Sequence, residues 1–376
     1  MAPLPVTEFE RRLPELLRLL QALVELESPS TEKAAVDALG AFLAARLAEA
    51  GAAVERIPQS KAGDHWLARW GSGSPGVLLL THLDTVHPLG TLAHIPYRDD
   101  GERVFGPGVL DMKASLAMAV TAMEALCQSG TGLRRRVTLL CSSDEETGSR
   151  TSRPLIEQLG SEHEAIFTLE PALPNGALKT ERKGVGLYRI EVQGRAAHAG
   201  ANPEDGVNAV VEMAHQILRL SALADPAQGT TINVGVVHGG TRSNVVPESC
   251  QARLDLRVQT PEEAARVEAA IHALSPVLPG ASVSVEGGIN RPPMTRSPVI
   301  AQAFERAKSI AATIGLSLTE GSTGGASDAN FLAGLNRPLL DGLGAVGDQA
   351  HSEREFVVRR SLPERTALLA ALISEW

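Results

Sequence analysis

Residues 77–86 read Val-Leu-Leu-Leu-Thr-His-Leu-Asp-Thr-Val, an apolar run that ends in a histidine followed two residues later by an aspartate. A short run without alternation fits a strand covered on both faces, the pattern of a parallel sheet. Val137 to Cys141 and Ala165 to Leu169 have the same character, and helical segments from about Met112 to Cys127 and from about Arg153 to Leu159 separate the three runs. Strands alternating with helices predict an α/β architecture with a mostly parallel sheet flanked by helices. Ligands of such sheets bind at the carboxyl ends of the strands, which is where His82 and Asp84 fall.

Upstream, Thr7 and Glu10 have capping-box spacing before a Leu-rich helical stretch that runs to about Leu26. Ser30 is placed to cap a second helix, which reaches Leu47 and stops at Gly51, with an extended stretch over Ala53 to Ile57. From Gly186 the order changes to an alternating strand (Leu187 to Val192), a helix after Pro203, strands near Thr231 to Val236 and Ala252 to Val258, a helix after Pro261 and a strand near Val283. This α+β order, with helix and strand alternation resuming after Pro292 and Pro293, predicts a discontinuous first domain, 1–181 and 293–376, around an inserted domain, 182–292. At roughly 150 residues per domain, a chain of 376 residues suits two.

Lys and Arg number 35 against 44 Asp and Glu, a net charge of −9, which argues against a general affinity for nucleic acid or an anionic membrane. Aromatic residues are only 3% of the chain, so the core falls to Ala, Leu and Val. Three cysteines, Cys127, Cys141 and Cys250, are too few and too far apart for a disulfide framework and fit a reducing compartment. The first twenty residues lack the features of a secretion signal or transit peptide, and nothing approaches 18 consecutive apolar residues; a cytoplasmic soluble protein is expected. Gly71, Gly73 and Gly76 match the dinucleotide fingerprint, but a strand follows them where that motif needs a helix, so they read as a turn. Walker, His-Glu-x-x-His and Cys-x-x-Cys motifs are missing from the sequence.

Chemistry-bearing residues recur at strand ends or in loops of one sheet. Beside His82 and Asp84 stand Asp111 in Gly106-Pro107-Gly108-Val109-Leu110-Asp111, Asp144-Glu145-Glu146 after the second run, Glu170 after the third, and His351 near the end of the chain. Singly, Asp111 reads as an acidic helix cap and the three successive acids as a solvated loop or a cation site. Jointly, coincidence is the weaker account. Two imidazoles and several carboxylates without a thiolate suit zinc, with cobalt or manganese as substitutes. The candidates exceed the four ligands of one tetrahedral ion, and two ions about 3.5 to 4 Å apart would use them all.

The stretches HLDTVHP, GPGVLDMKA, SSDEETGS, LEP, QGRAAHAGANPEDGVNAV and GGTRSNVVP resemble, in order and spacing over nearly the whole chain, the zinc exopeptidase and deacylase family. That family contains bacterial glutamate carboxypeptidase, acetylornithine deacetylase and succinyl-diaminopimelate desuccinylase, and the likeness is greatest to the carboxypeptidase. The resemblance implies a zinc-peptidase-like catalytic domain with an inserted lid and dimerisation domain. It makes Asp111 the bridging ligand, His82 and Glu170 ligands of one zinc, and Glu146 and His351 ligands of the other. Asp84 then orients His82, and Glu145 becomes the general base acting on a bridging water. His198 matches a histidine that reaches the partner subunit's active site to stabilise the oxyanion, while Asn244 and Arg291 match positions that hold the substrate carboxylate. Gly324 to Asp328 resembles a glycine-rich segment lining the pocket, and Lys113 is placed to support the loop of Asp111 or to lie on the surface.

Two positions depart from the nearest pattern. Met112 follows the bridging aspartate as in the deacetylases, where the folate-cleaving carboxypeptidase has a second Asp; Glu170 stands where the family's dipeptidases and tripeptidases tend to have Asp. The expected activity is therefore hydrolysis of the amide of an N-acyl amino acid or C-terminal residue, on a small substrate with a free carboxylate. A biosynthetic N-acyl-amino-acid deacylase is the alternative, and a catalytically silent binding protein the third reading.

Overall fold

The computed structural model describes residues 3–129 and 133–376. Its strands are β1 (Ala53–Ile57), β2 (His65–Trp70), β3 (Pro75–His82), β4 (Arg98–Asp99), β5 (Arg103–Phe105), β6 (Arg136–Ser142), β7 (Ala165–Thr168), β8 (Leu178–Arg182), β9 (Gly184–Gln193), β10 (Thr231–Gly239), β11 (Ser249–Val258), β12 (Ser282–Arg291), β13 (Glu320–Thr323), β14 (Leu339–Asp341), β15 (Gly347–Asp348) and β16 (Phe356–Val358). Its helices are α1 (Val6–Glu25), α2 (Lys33–Glu49), α3 (Ala114–Gln128), α4 (Arg153–Glu162), α5 (Ala209–Ser221), α6 (Pro261–His272), α7 (Pro298–Thr313), α8 (Ala329–Leu332) and α9 (Ser361–Glu375).

The chain divides into two units, Met1–Glu181 with Arg296–Thr323 and Ser327–Trp376, and Arg182–Thr295 with Gly324–Ala326. The glycine-rich segment from Gly324 is thus split, its first three residues grouping with the second unit.

In the first unit an eight-stranded sheet has the order β1-β2-β6-β3-β7-β14-β8-β13. Its centre, β6-β3-β7-β14, is parallel, while β1 and β2 on one side and β8 on the other run antiparallel. The architecture is the mixed α/β fold that the apolar runs imply. Strand β3 is buried from Gly76 to His82, as a strand covered on both faces must be. Helices α1, α3 and α9 pack on one another. Helix α3 is buried around nearly its whole circumference, which explains why its sequence is apolar without a polar stripe. The core is built mainly of Leu, Ala and Val, with few aromatics such as Phe9, Trp70 and Phe167.

A second sheet of this unit, β15-β16-β5-β4, is small and antiparallel. Phe356 pairs with Phe105 and Val358 with Arg103, so the loop before β16 is brought beside the loop after β5. Those loops carry His351 and Asp111, residues 240 positions apart.

The inserted unit holds a four-stranded antiparallel sheet, β10-β11-β9-β12. Side chains of β9 and β11 meet those of α5 and α6 in a separate core containing Ile190, Met213, Leu254 and Val267. Asn208 caps α5 by accepting from the Val210 and Val211 N–H groups, and Thr260 caps α6 through Glu263 N–H.

Candidate metal centre

His82 is the last residue of β3 and is buried. Its Nδ1 donates to the Asp84 carbonyl at 2.9 Å, which turns Nε2 toward the rim of the sheet with a lone pair free to ligate. Nε2 lies 3.1 Å from Asp111 Oδ1 and 3.6 Å from Glu170 Oε1. Asp84 thus orients the imidazole mainly through its backbone; its carboxylate is 3.6 Å from Nδ1 and has other partners. It accepts from Glu145 N–H at 3.1 Å, Glu146 N–H at 3.2 Å and Ser30 Oγ at 2.7 Å. The carboxylate therefore fixes the backbone of the two glutamates expected to serve as base and ligand.

Ser30 is drawn into this contact instead of capping α2, which begins only at Lys33 with no side-chain cap. Helix α1 likewise starts at Val6 behind Pro5, leaving Thr7 inside the first turn with no capping bond.

Asp111 follows a tight Gly-Pro-Gly turn. Gly108 has φ +69°, and a Cβ there would stand 2.6 Å from Thr85 Cγ2, so only glycine fits. Asp111 Oδ2 faces His351 Nε2 at 3.3 Å, and Glu146 Oε1 faces the same nitrogen at 3.2 Å. Glu145 and Glu146 lie on one turn of 3₁₀ helix closed by Gly148, whose N–H bonds to the Glu145 carbonyl at 2.9 Å. Ligand atoms of His82, Asp111 and Glu146 all fall within 4.8 Å of one another.

The electrostatics of this cluster favour added positive charge. Burial works to raise the Asp111 carboxyl, but hydrogen bonds from His351 and His82 hold it well below the usual carboxylate range. Burial raises the Glu146 carboxyl, helped by the Asp111 charge and opposed by His351. His351 is raised to about 11 by its bonds to Asp111 and Glu146. Burial opposes protonation of His82, yet Asp111 and Asp84 raise it well above the ordinary histidine value. Glu146 Oε1 is buried, and the donor that faces it, His351 Nε2 at 3.2 Å, also faces Asp111 Oδ2 at 3.3 Å, so two carboxylates share one imidazole and added positive charge would be favourable. An N/O donor set with more carboxylate acceptors than donors facing them fits a divalent metal.

The remaining expected site residues lie on the inserted unit. His198 and Asn244 are exposed neighbours: the Ala199 N–H bonds to the Asn244 carbonyl at 3.1 Å, and His198 forms a bridge with Val245. His198 Nδ1 accepts from the N–H groups of Gly200 and Ala201 at 3.1 and 3.0 Å. Arg291 is buried at the end of β12. Lys113, open to either position from sequence, is buried: its Nζ donates to the Leu26 carbonyl at 2.8 Å, and burial lowers it to about 7 despite the charges of Glu355 and Glu27.

Sequence reading missed Glu355 and His87. Glu355 is 1% exposed. Its Oε1 accepts from Leu110 and Asp111 N–H at 2.7 and 2.9 Å, and its Oε2 from Gly108 N–H and His87 Nε2 at 3.0 and 2.8 Å. The available signal was its place four residues after His351, and nothing in the local pattern distinguishes it from a surface glutamate.

A mostly parallel sheet brings imidazoles and carboxylates together at a candidate metal site, and the family match places that site in a metal-dependent hydrolase of amide bonds. The chain belongs to peptidase family M20/M25/M40, whose family model matches residues 78–375. It is 31% identical over 373 residues to carboxypeptidase G2 of Pseudomonas sp. (strain RS-16), covering 96% of this chain and 89% of that protein. It is also 28% identical over 358 residues to succinyl-diaminopimelate desuccinylase of Dechloromonas aromatica (strain RCB), covering 89% of this chain and 92% of the relative. The fold matches a tripeptidase from Staphylococcus aureus with a TM-score of 0.78 at 20% identity, over 96% of this chain and 98% of the other. No helix among the described residues is long and apolar enough to cross a membrane.

Proposed function

We propose that the chain is a di-zinc amidohydrolase that releases an α-amino acid from an N-acyl amino acid or from a C-terminal position, in the manner of a glutamate carboxypeptidase. The observation that carries this reading is the convergence of His82, Asp111 and Glu146 beside Glu145. In it, His82 and Glu170 would hold one zinc and Glu146 and His351 the other, with Asp111 as a ligand shared by both; cobalt or manganese would serve as substitutes. Bound zinc would supply a Lewis acid for the acyl carbonyl and would lower the pKa of water to about 7. Glu145 takes the proton of the attacking water and returns it to the leaving amine, its backbone held by Asp84 beside a ligand-bearing residue. His198 stabilises the oxyanion from a partner subunit. Asn244 and Arg291 bind the free carboxylate of the substrate, for which a guanidinium fork is suited.

In this reading residues 1–181 and 293–376 form the catalytic domain, and 182–292 serve as lid and homodimer contact. The edge position of β10, with exposed Val236 and Val237, and exposed Val210, Val211 and Leu218 on α5, support pairing with a second copy. The proposed location is cytoplasmic, with neither nucleic acid nor membrane as partner.

The similarity to a desuccinylase over most of both chains, together with Met112, favours a biosynthetic N-acyl-amino-acid deacylase as the second reading. Amino-acid release from matched N-acyl-glutamate, N-acyl-ornithine, N-acyl-alanine and N-acyl-leucine, with and without chelator, separates the two. Chelator-sensitive preference for glutamate is expected. Preference for another side chain moves the enzyme to the deacylase branch, and bound zinc without turnover would favour a silent binding protein.

A further inference from the structure

Glu355 ties together three segments that each carry a ligand candidate. It lies in the same loop as His351; it accepts the backbone N–H of Asp111 and of two residues just before it; and it accepts from His87, five residues after His82. The His351 loop joins β15 and β16, strands of two and three residues, and bonds such as Ser352 N–H to the Gln349 carbonyl and Arg354 Nη2 to Gln349 Oε1 run within the loop, whereas the Glu355 carboxylate ties it to the segments of Asp111 and His87. His351 itself sits at φ +63°, a conformation a non-glycine residue keeps only when its surroundings impose it.

We propose that Glu355 is a positioning residue that sets Asp111 and His351 at the separation needed for both to hold one ion, an inference that rests on the two-ion reading above. Each of its oxygens takes two donors, so a glutamine of the same shape turns an NH₂ donor toward two other donors whichever way it is flipped.

Metal-free wild type, Glu355→Gln, Glu355→Asp and Glu212→Gln are to be titrated with Co²⁺, counting bound ions by elemental mass spectrometry and following the visible absorption of cobalt. Glu212, a buried carboxylate of the inserted unit, is the control for loss of a buried clamp. The expected result is that Glu355→Gln weakens one of two ions by about tenfold or more and the other, which shares Asp111 but not His351, distinctly less, while Glu212→Gln binds both normally. Wild-type affinity for both ions in Glu355→Gln, or an equal loss of both, overturns the proposal. Should Glu355→Gln not fold, Glu355→Asp, which keeps the charge but reaches only one pair of donors, is judged by the same criterion. A single ion in wild type would overturn the two-ion reading itself; the role of Glu355 is then supported if its glutamine variant weakens that ion tenfold, and rejected if the affinity is unchanged.

Discussion

Glu355 in the catalytic unit and Glu212 in the inserted unit are both buried glutamates that accept backbone N–H groups, in surroundings that differ sharply. Glu212 takes Val277 N–H at 3.0 Å and Leu278 N–H at 2.7 Å, along with the Gln216 amide. It is the one fully buried carboxylate among the described residues of 182–295, and apolar side chains of α5, α6 and the sheet make up the rest of that core. Around Glu355 the picture is crowded: Asp84 and Glu170 are buried too, Asp111 and Glu146 are half-buried, and the last two share a single imidazole nitrogen, His351 Nε2. Buried carboxylates are tolerated where their acceptors are filled and destabilise where they are not. Burial of an acid is therefore a poor marker of function. The informative feature is a surplus of acceptors at one strand edge, which the fold maintains at a cost in stability.

The comparison breaks first at Glu145. Glu145→Gln keeps every proposed metal ligand and is expected to retain bound metal while kcat falls by about 10² to 10⁴-fold, the usual worth of a general base. Near wild-type turnover would move the base elsewhere and leave the crowded rim as a metal site alone. A smaller loss is expected from Asp84→Asn, which sets an amide donor either against the Glu145 N–H or against the Glu146 N–H and the Ser30 hydroxyl. Its kcat should fall by about 10 to 100-fold, with KM changing much less. An Asp84→Asn enzyme with wild-type kcat and reduced thermal stability would place Asp84 with Glu212 as a purely structural clamp.

The parallel centre of the sheet was legible because β3, β6 and β7 are apolar runs of a type that only two-sided burial requires. Strand β2 was not: His65 and Arg69 interrupt its pattern, and His65 is buried only because Ser143 Oγ and Thr151 Oγ1 bond to its two ring nitrogens at 3.0 Å. The short strands β4, β5, β15 and β16 carry too few residues for any periodicity, and their pairing joins segments some 250 positions apart. His82, Asp84, Glu146 and Glu170 stood out as candidates because imidazoles and acids recur at strand ends where a sheet binds ligands, and Asp111 and His351, which lie in loops, because they add to the same donor set. Glu355 could not, since its role is defined by four donors that meet only after that small sheet has formed. Ser30 and Thr7 were misread for a related reason: a local capping pattern competes with tertiary partners, and at Ser30 the Asp84 carboxylate prevails.

The smallest effect on catalysis belongs to Glu212, and it tests the other side of the comparison. Its carboxyl is buried, which alone would raise its pKa, yet the N–H groups of Leu278 and Val277 hold it below the ordinary value. A carboxyl lowered in the folded state adds stability that is complete above the unfolded value of about 4.3 and is lost as pH falls through the folded one. Glu212→Gln should therefore cost about 1 to 3 kcal/mol near neutrality, with the gap to wild type narrowing in acid, as read from urea unfolding at pH 7 and pH 4. Its kcat and metal content should match wild type. A constant gap at both pH values would show that shape, rather than charge, holds the Val277 turn, and a loss of bound metal would remove the distinction between a filled clamp and a site with acceptors to spare.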